Sequence, residues 1–295
     1  MKERAILIAG PTASGKSAFG LKLAAEAKGQ GRNPLIINAD SMQVYRELEV
    51  LTARPTIADL EVVEHALYGA VSAHEAYSVG KWLKAVEAIL KNSSAEALPI
   101  FVGGTGLYFK TLLEGFAEVP EIDEDIRTKL RGAFEQGGSE ALYVDLLSKD
   151  PDYALMVKPA DGQRIVRALE VFESTGKSIL WWHNQPMESP VLGETECRKI
   201  ILSPDREVLY DRINHRFDLM VSNGAIEEVK KIRKLSLDPS LPAMKAIGVR
   251  QLSDYLDGKT SLDGAIEDAS RETRRYAKRQ MTWFRNQMDE TWERS

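Results

Sequence analysis

The sequence predicts an α/β fold: a parallel sheet core flanked by helices, interrupted by an all-helical insertion and completed by a helical C-terminal region. Three observations carry this. Over residues 1–119, short runs that are apolar throughout alternate with helical segments, as expected of parallel strands covered on both faces. From 121 to 178 the spacing is helical with no convincing strand. One more sheet-like run, "RKIILSP" at 198–204, precedes long amphipathic helices to the end. The organisation expected is a first core part over 1–119, a helical insertion over 120–194, and core completion with C-terminal helices over 195–295.

In chain order, "AILIAG" (5–10), the helical "KSAFGLKLAAEA" (16–27) and "PLIINAD" (34–40) make a βαβ unit. "HALYGAV" (65–71) is a weaker strand candidate, followed by a helix over 78–90 whose free N–H groups Ser78 can cap. A clear strand, "PIFVGG" (99–104), leads into the helical "TGLYFKTLLEG". The acidic "EVPEIDED" (118–125) reads as a solvated hinge into the insertion. There is no internal repeat.

Composition narrows the class. Hydrophobic residues make up 43% and charged residues 28%, and no stretch approaches the roughly 18 apolar residues of a membrane span. The single Cys197 cannot form an internal disulfide, and the four histidines lack metal-ligand spacing. A cytoplasmic protein with no membrane contact and no transition metal is expected.

Gly10, Gly15, Lys16 and Ser17 in "GPTASGKS" fit G-x-x-x-x-G-K-[ST] where that motif belongs, after a strand and opening a helix. Glycines let the backbone wrap an anion, the helix N-terminus and Lys16 favour negative charge, and Ser17 offers a hydroxyl to Mg²⁺. The core is therefore P-loop NTPase-like. Taken alone the loop points to ATP, but its own residues leave the phosphate open.

Asp40 closes the second strand at the edge where open α/β folds bind ligands, and reads equally as a base or as a cap for the next segment. Thr105, at the same edge, offers its hydroxyl either to a transferring group or to a helix N-terminus. A hydrolysing P-loop enzyme normally sets an Asp after an apolar strand to help hold Mg²⁺, whereas "PIFVGG" ends in glycines. That argues against a motor and for a kinase or another phosphate-handling transferase.

The net charge of -5 argues weakly against nucleic acid, but its distribution does not. Between 271 and 285, Arg271, Arg274, Arg275, Lys278, Arg279 and Arg285 face one acid, Glu272. Such a run suits a solvated helix face or a phosphate backbone equally. Arg164 and Arg167, one turn apart, are as well explained by a salt-bridged face, and Trp181 and Trp182 fit packing better than base stacking.

Several segments together resemble one family, the tRNA dimethylallyltransferases, or tRNA isopentenyltransferases. They are "GPTASGKS" (10–17), "DSMQVYR" (40–46), "TARP" (52–55), "VGGTGLY" (102–108), "DGQRIVRALEVFESTGK" (161–177), "LYDRINHRFDLM" (209–220), "KAIGVRQ" (245–251) and "TRRYAKRQMTWFR" (273–285). They follow the family's order over nearly the whole chain. The resemblance implies transfer of a dimethylallyl group from dimethylallyl diphosphate to N6 of the adenosine at tRNA position 37, next to the anticodon, with diphosphate leaving.

By the same resemblance, Gly10, Pro11, Thr12, Ala13, Ser14, Gly15, Lys16 and Ser17 hold the donor's diphosphate, with Ser17 at Mg²⁺ and Arg216 in support. Asp40 takes the amino proton or its hydrogen bond, and Thr105 lies near the bridging oxygen. Contacts to the tRNA anticodon stem-loop fall to Asp40, Ser41, Met42 and Gln43, to Arg127, and to Gln163, Arg164, Ile165, Val166 and Arg167. Lys245, Ala246, Ile247, Gly248, Val249 and Arg250 complete that set; the charge of the basic helix, rather than the resemblance, adds Arg274 and Lys278 as tRNA contacts. A monomer is expected. The chain departs from the family pattern at Leu51, where Gly is common, at "HALYG", at Leu180 for Ser and at Val249 for Tyr.

Overall fold

Six parallel strands form one sheet in the computed structural model, which describes residues 3–94, 96–117, 119–185, 189–193 and 196–295. They are β1 (Ala5–Ala9), β2 (Asn33–Asn38), β3 (Glu64–Ala66), β4 (Ala97–Gly103), β5 (Cys197–Ile201) and β6 (Glu293–Arg294), in the order β3-β2-β4-β1-β5-β6. β1 lies between β4 and β5, with Ile6 opposite Ile100 and Ala5 opposite Cys197, and all five of its residues are buried. Strand pleating sends alternate side chains to opposite faces. Ile6, Ile8, Ile36, Ile100 and Val102 pack with Leu23 and Ala24 of α1 (Lys16–Gly29). The alternate residue Phe101 meets Trp82 of α3 (Val79–Lys91), which stacks at 4.3 Å on Tyr108 of α4 (Gly106–Glu114). Ser78 caps α3 as its sequence implies, accepting the Lys81 N–H.

Two details differ from expectation. The candidate strand at 65–71 is reduced to Glu64–Ala66, because Leu67 takes φ 64, a left-handed conformation that ends the pleat; Val71 only bridges Tyr45. Short α2 (Ile57–Val62), closed by a Thr56–Asp59 capping box, and the two-residue β6 carry too little periodicity to be read in advance.

The chain divides into two compact units, one of residues 1–113 with 191–295, the other of residues 114–190. The second contains α5 (Glu124–Lys149), bent at Gly138, then α6 (Pro151–Ala154), α7 (Gly162–Thr175) and α8 (Ile179–His183). It has its own core, in which Leu130, Leu146, Ile165 and Leu169 are buried.

In the first unit, α9 (Arg206–Ser222), α10 (Ala225–Lys234), a 3₁₀ turn at Pro242–Lys245, α11 (Val249–Leu256) and α12 (Leu262–Gln287) follow β5. Phe217, Val229, Leu252 and Ala269 from these helices bury against Val44, Tyr45, Leu48 and Leu51 of the segment after β2. The C-terminal helices thus cover the segment that Asp40 opens. No helix among the described residues is long and apolar enough to cross a membrane.

Candidate active site

The loop between β1 and α1 is preformed. Ala13 at φ 63 and Gly15 at φ 92 both take left-handed backbone, which for Gly15 costs nothing and turns the chain into α1. Lys16 Nζ donates to the Pro11 carbonyl at 2.7 Å, so the side chain folds back over the loop. The Ser14 hydroxyl is buried with no hydrogen-bond partner among the described residues. A buried hydroxyl left open in this way suits an incoming acceptor.

Arg216 reaches the same region from α9, its Nη2 donating to the Thr52 carbonyl at 3.5 Å. Burial depresses the pKa of Lys16 to about 8, with Asp40 opposing the shift and Arg216 adding to it. Arg216 is lowered too, by desolvation, again against Asp40. Neither cation has an ion-pair partner among the described residues. Two desolvated cations without a carboxylate partner favour an anion brought from outside.

Asp40 serves as a local cap and keeps one carboxylate oxygen open. Its Oδ1 accepts the Met42 N–H at 2.9 Å, a local cap, while Oδ2 has no protein partner among the described residues. Its own N–H donates to Asn38 Oδ1 at 2.8 Å, which fixes the turn. Thr105 is not used as a cap: its Oγ1 accepts the Ser41 N–H at 2.9 Å and donates to Ser41 Oγ at 3.3 Å. That draws the β4 turn onto the Asp40 turn. Gly103 is obligatory for this approach, since a Cβ there would collide with the Ala39 carbonyl.

A cavity of ≈ 270 Å³ opens between these parts. Thr12, Asp40, Ser41, Arg216, Lys245, Glu272 and Arg279 line its polar side, and Leu51, Ile213, Phe217, Met220 and Ile247 its apolar side. Tyr276 also lines it, its hydroxyl pKa raised by burial and by Asp40. A second hollow of ≈ 280 Å³ lies over Gly15, Lys16, Ser17 and Arg212. Arg216 borders both, so a phosphate hollow adjoins a cavity with one apolar wall.

Some expected contacts need correction. The Thr12 N–H donates to Gln280 Oε1 at 2.9 Å, so this amide is already taken and cannot serve a phosphate. Ile165 and Val166 are core residues of the helical unit and Val249 is a core residue of the first, so packing takes their side chains away from a tRNA; Gly248, also buried, has no side chain to offer one. Gln43 Nε2 braces the Thr52 and Ala53 carbonyls, both at 2.9 Å. Arg250 is neutralised by Asp254, Asp268 and Glu272. Arg274 bonds Asn214, whereas Lys278, Arg275 and Arg285 are exposed with no ion-pair partner among the described residues.

In the helical unit, Gln163 and Arg164 are exposed, Arg127 pairs with Glu124 and Arg167 with Glu170. Ser41, Met42, Lys245, Ala246 and Ile247 line the cavity. The departure at Leu51 lies on the cavity wall, held by its N–H to Glu228 Oε1 at 3.0 Å. Glu228 and Gln280, both buried polar residues on C-terminal helices, were not foreseen; an amide or carboxylate within an otherwise apolar helical stripe is the only sign of them.

A parallel sheet with a glycine-containing loop between its first strand and first helix, and Arg216 shared between a hollow over Lys16 and a cavity lined by Asp40, fits a P-loop-like transferase. The chain belongs to the IPP transferase family, whose model matches residues 43–287, and an isopentenyl transferase model matches residues 3–76. It is 52% identical over 294 residues to the tRNA dimethylallyltransferase of Bartonella quintana, covering 99% of this chain and 97% of that one. The counterpart from Sinorhizobium medicae is 51% identical over 291 residues, covering 98% and 93%. The crystal structure of the tRNA isopentenylpyrophosphate transferase of Bacillus halodurans matches with a TM-score of 0.67 at 35% identity, covering 100% of this chain and 90% of that one. A eukaryotic dimethylallyltransferase solved acting on tRNA matches with a TM-score of 0.76 at 28% identity, covering 96% and 70%.

Proposed function

We propose that this enzyme transfers the dimethylallyl group of dimethylallyl diphosphate to N6 of adenosine 37, beside the anticodon of tRNA, and releases diphosphate. The observation that carries the reading is a pair of partly buried cations with no ion-pair partner among the described residues: Arg216 lines a partly apolar cavity with Asp40, and Lys16 lines the adjoining hollow that Arg216 also borders. As the allylic C–O bond breaks, negative charge grows on the leaving diphosphate, and Lys16, Arg216 and the remaining loop amides stabilise it where it appears. The dimethylallyl group lies against Leu51, Ile213, Phe217 and Met220, which exclude water from the allylic carbon. N6 attacks that carbon, and its proton passes to Asp40.

The exposed Ser17 hydroxyl opens α1, and no group of three or more His, Cys, Asp or Glu able to hold a metal occurs among the described residues. A single hydroxyl bordering a hollow over the loop suits Mg²⁺, which keeps several waters and takes phosphate oxygens. When bound beside Ser17, Mg²⁺ supplies further positive charge to the departing diphosphate. A stacked adenine cannot enter such a cavity, so the base flips out of the stack at a cost of about a few kcal/mol, offset by phosphate contacts from exposed cations such as Lys278.

The test is incubation of unmodified tRNA with dimethylallyl diphosphate and Mg²⁺, without ATP, followed by mass spectrometry of the nucleosides. Dimethylallyl-adenosine is expected at position 37 only. Phosphate transfer from ATP with no prenylated nucleoside would replace the reading with a kinase.

A further inference from the structure

Gln280 lies in α12, buried in spite of its primary amide, and both ends of that amide are engaged. Oε1 accepts the Thr12 N–H at 2.9 Å, and Nε2 donates to the Gly104 carbonyl at 2.9 Å. The two partners belong to opposite halves of the site. Thr12 is in the loop that carries Lys16; Gly104 precedes Thr105, whose hydroxyl holds the Ser41 N–H next to Asp40.

We infer that Gln280 is a positioning residue that sets the separation of the leaving-group loop from the acceptor-side turn. This rests on the proposed reaction and deepens it, naming what holds its two ends in register.

Among side chains in their usual state at neutral pH, a primary amide of this length meets the demand. The position requires one acceptor and one donor on a single planar group, facing an N–H and a C=O respectively. An ionised Glu cannot donate to Gly104, Met can do neither, and Asn is one methylene shorter. The amide's orientation is fixed by the same logic, because the flipped form would set donor against donor and acceptor against acceptor. A carbonyl or N–H left buried without a partner costs about 1–3 kcal/mol, so the staple is not easily released. α12 also presents exposed Arg275 and Lys278, so the helix with unpaired surface cations is the helix that ties the donor loop to the Asp40 edge.

The full chain carrying Gln280→Met keeps the length and bulk and removes both hydrogen bonds. Its kcat with tRNA should fall on the order of 10- to 100-fold while KM for dimethylallyl diphosphate stays within about threefold, the pattern of lost alignment rather than lost binding. Hydrogen exchange supplies a readout independent of turnover: the Thr12 amide should be protected in the wild type and in Gln280→Glu, which keeps an acceptor, and exposed to exchange in Gln280→Met. Gln280→Glu should lose kcat at alkaline pH, where an ionised carboxylate cannot donate to Gly104, and recover it as pH falls and the carboxyl gains a donating O–H.

A Met variant with kcat within about twofold of wild type would overturn the inference, as would a rise in KM alone. A Thr12 amide that stays protected in the Met variant would do the same. A wild type that prenylates no tRNA would instead sink the reaction, while exchange at Thr12 still decides whether the staple holds the loop.

Discussion

Two sets of cations in this molecule are treated in opposite ways. Arg250, exposed on α11, stands 3.7 Å from Asp254, 3.0 Å from Asp268 and 3.4 Å from Glu272, and Arg271 on α12 shares Asp268. Lys16 and Arg216 are partly buried, desolvated enough to lower both pKa values, with no carboxylate at ion-pair distance among the described residues. Solvated pairs such as those of Arg250 contribute about 0–1 kcal/mol, so their presence says little about function. Desolvated cations without an ion-pair partner are destabilising, and such a site favours an anion brought from outside. The comparison also divides the basic run at 271–285: Arg271 is neutralised locally, while Arg275 and Lys278 still present charge.

The largest effect should come from Asp40→Asn, which keeps the cap to Met42 and removes the base. Turnover is expected to fall by about 10²–10⁴-fold with donor binding retained, measured by titration with a non-transferable diphosphate analogue. Undiminished turnover would deny Asp40 the proton.

Lys16→Met should lower kcat by about 10²–10³-fold and yet stabilise the ligand-free protein. The Lys16 pKa is about 8 in the fold against 10.5 ordinarily, so the folded state binds this proton less tightly than the unfolded chain. The penalty, on the order of 3 kcal/mol, is therefore complete below about pH 8 and fades as pH rises toward the ordinary value. Denaturant unfolding should show Lys16→Met ahead of wild type at neutral pH, with the gap closing in alkali. A gap that widens with pH would reverse the contrast between the two sets.

Replacing Arg275 and Lys278 together by Ala should weaken tRNA binding and reduce its salt slope by about 2, with donor affinity unchanged. The smallest effect belongs to Arg250→Ala, expected to change tRNA affinity less than about twofold because its charge is already spent on three acids. If it costs as much as the Arg275/Lys278 pair, surface neutralisation does not decide which cations serve the nucleic acid.

What could be read from the sequence was local. The loop at 10–17 and the strand ends at Asp40 and Thr105 follow from short-range pattern, and so do β1, β2, β4 and β5. What could not be read depends on distant partners. Gln280 meets Thr12 and Gly104, and Glu228 accepts the N–H groups of Glu49, Val50 and Leu51 at 2.8, 2.7 and 3.0 Å. No periodicity in α10 or α12 announces those contacts. Burial was the other blind spot: Ile165 and Val166 sit inside a stretch that resembles a tRNA-contacting one, but helix phase turns both inward. The charge run at 271–285 hid its own division, because Asp268, which neutralises Arg271, lies just before it.

The placement of β1 bears on how the chain reaches this structure. Its two edges are covered by β4 and by β5, and Ala5 must find Cys197, a pairing that spans most of the chain. Folding slows as such pairings dominate. Here the detour is short-circuited: the Leu192 N–H donates to the Leu112 carbonyl at 3.2 Å, so the chain returns from residues 114–190 close to where it left. A segment whose own core forms early would bring β5 to β1 as though joined by a short loop. We expect refolding to be stepwise, with helical signal preceding sheet closure in stopped-flow traces, and simultaneous appearance of both would show that the detour gives no such assistance.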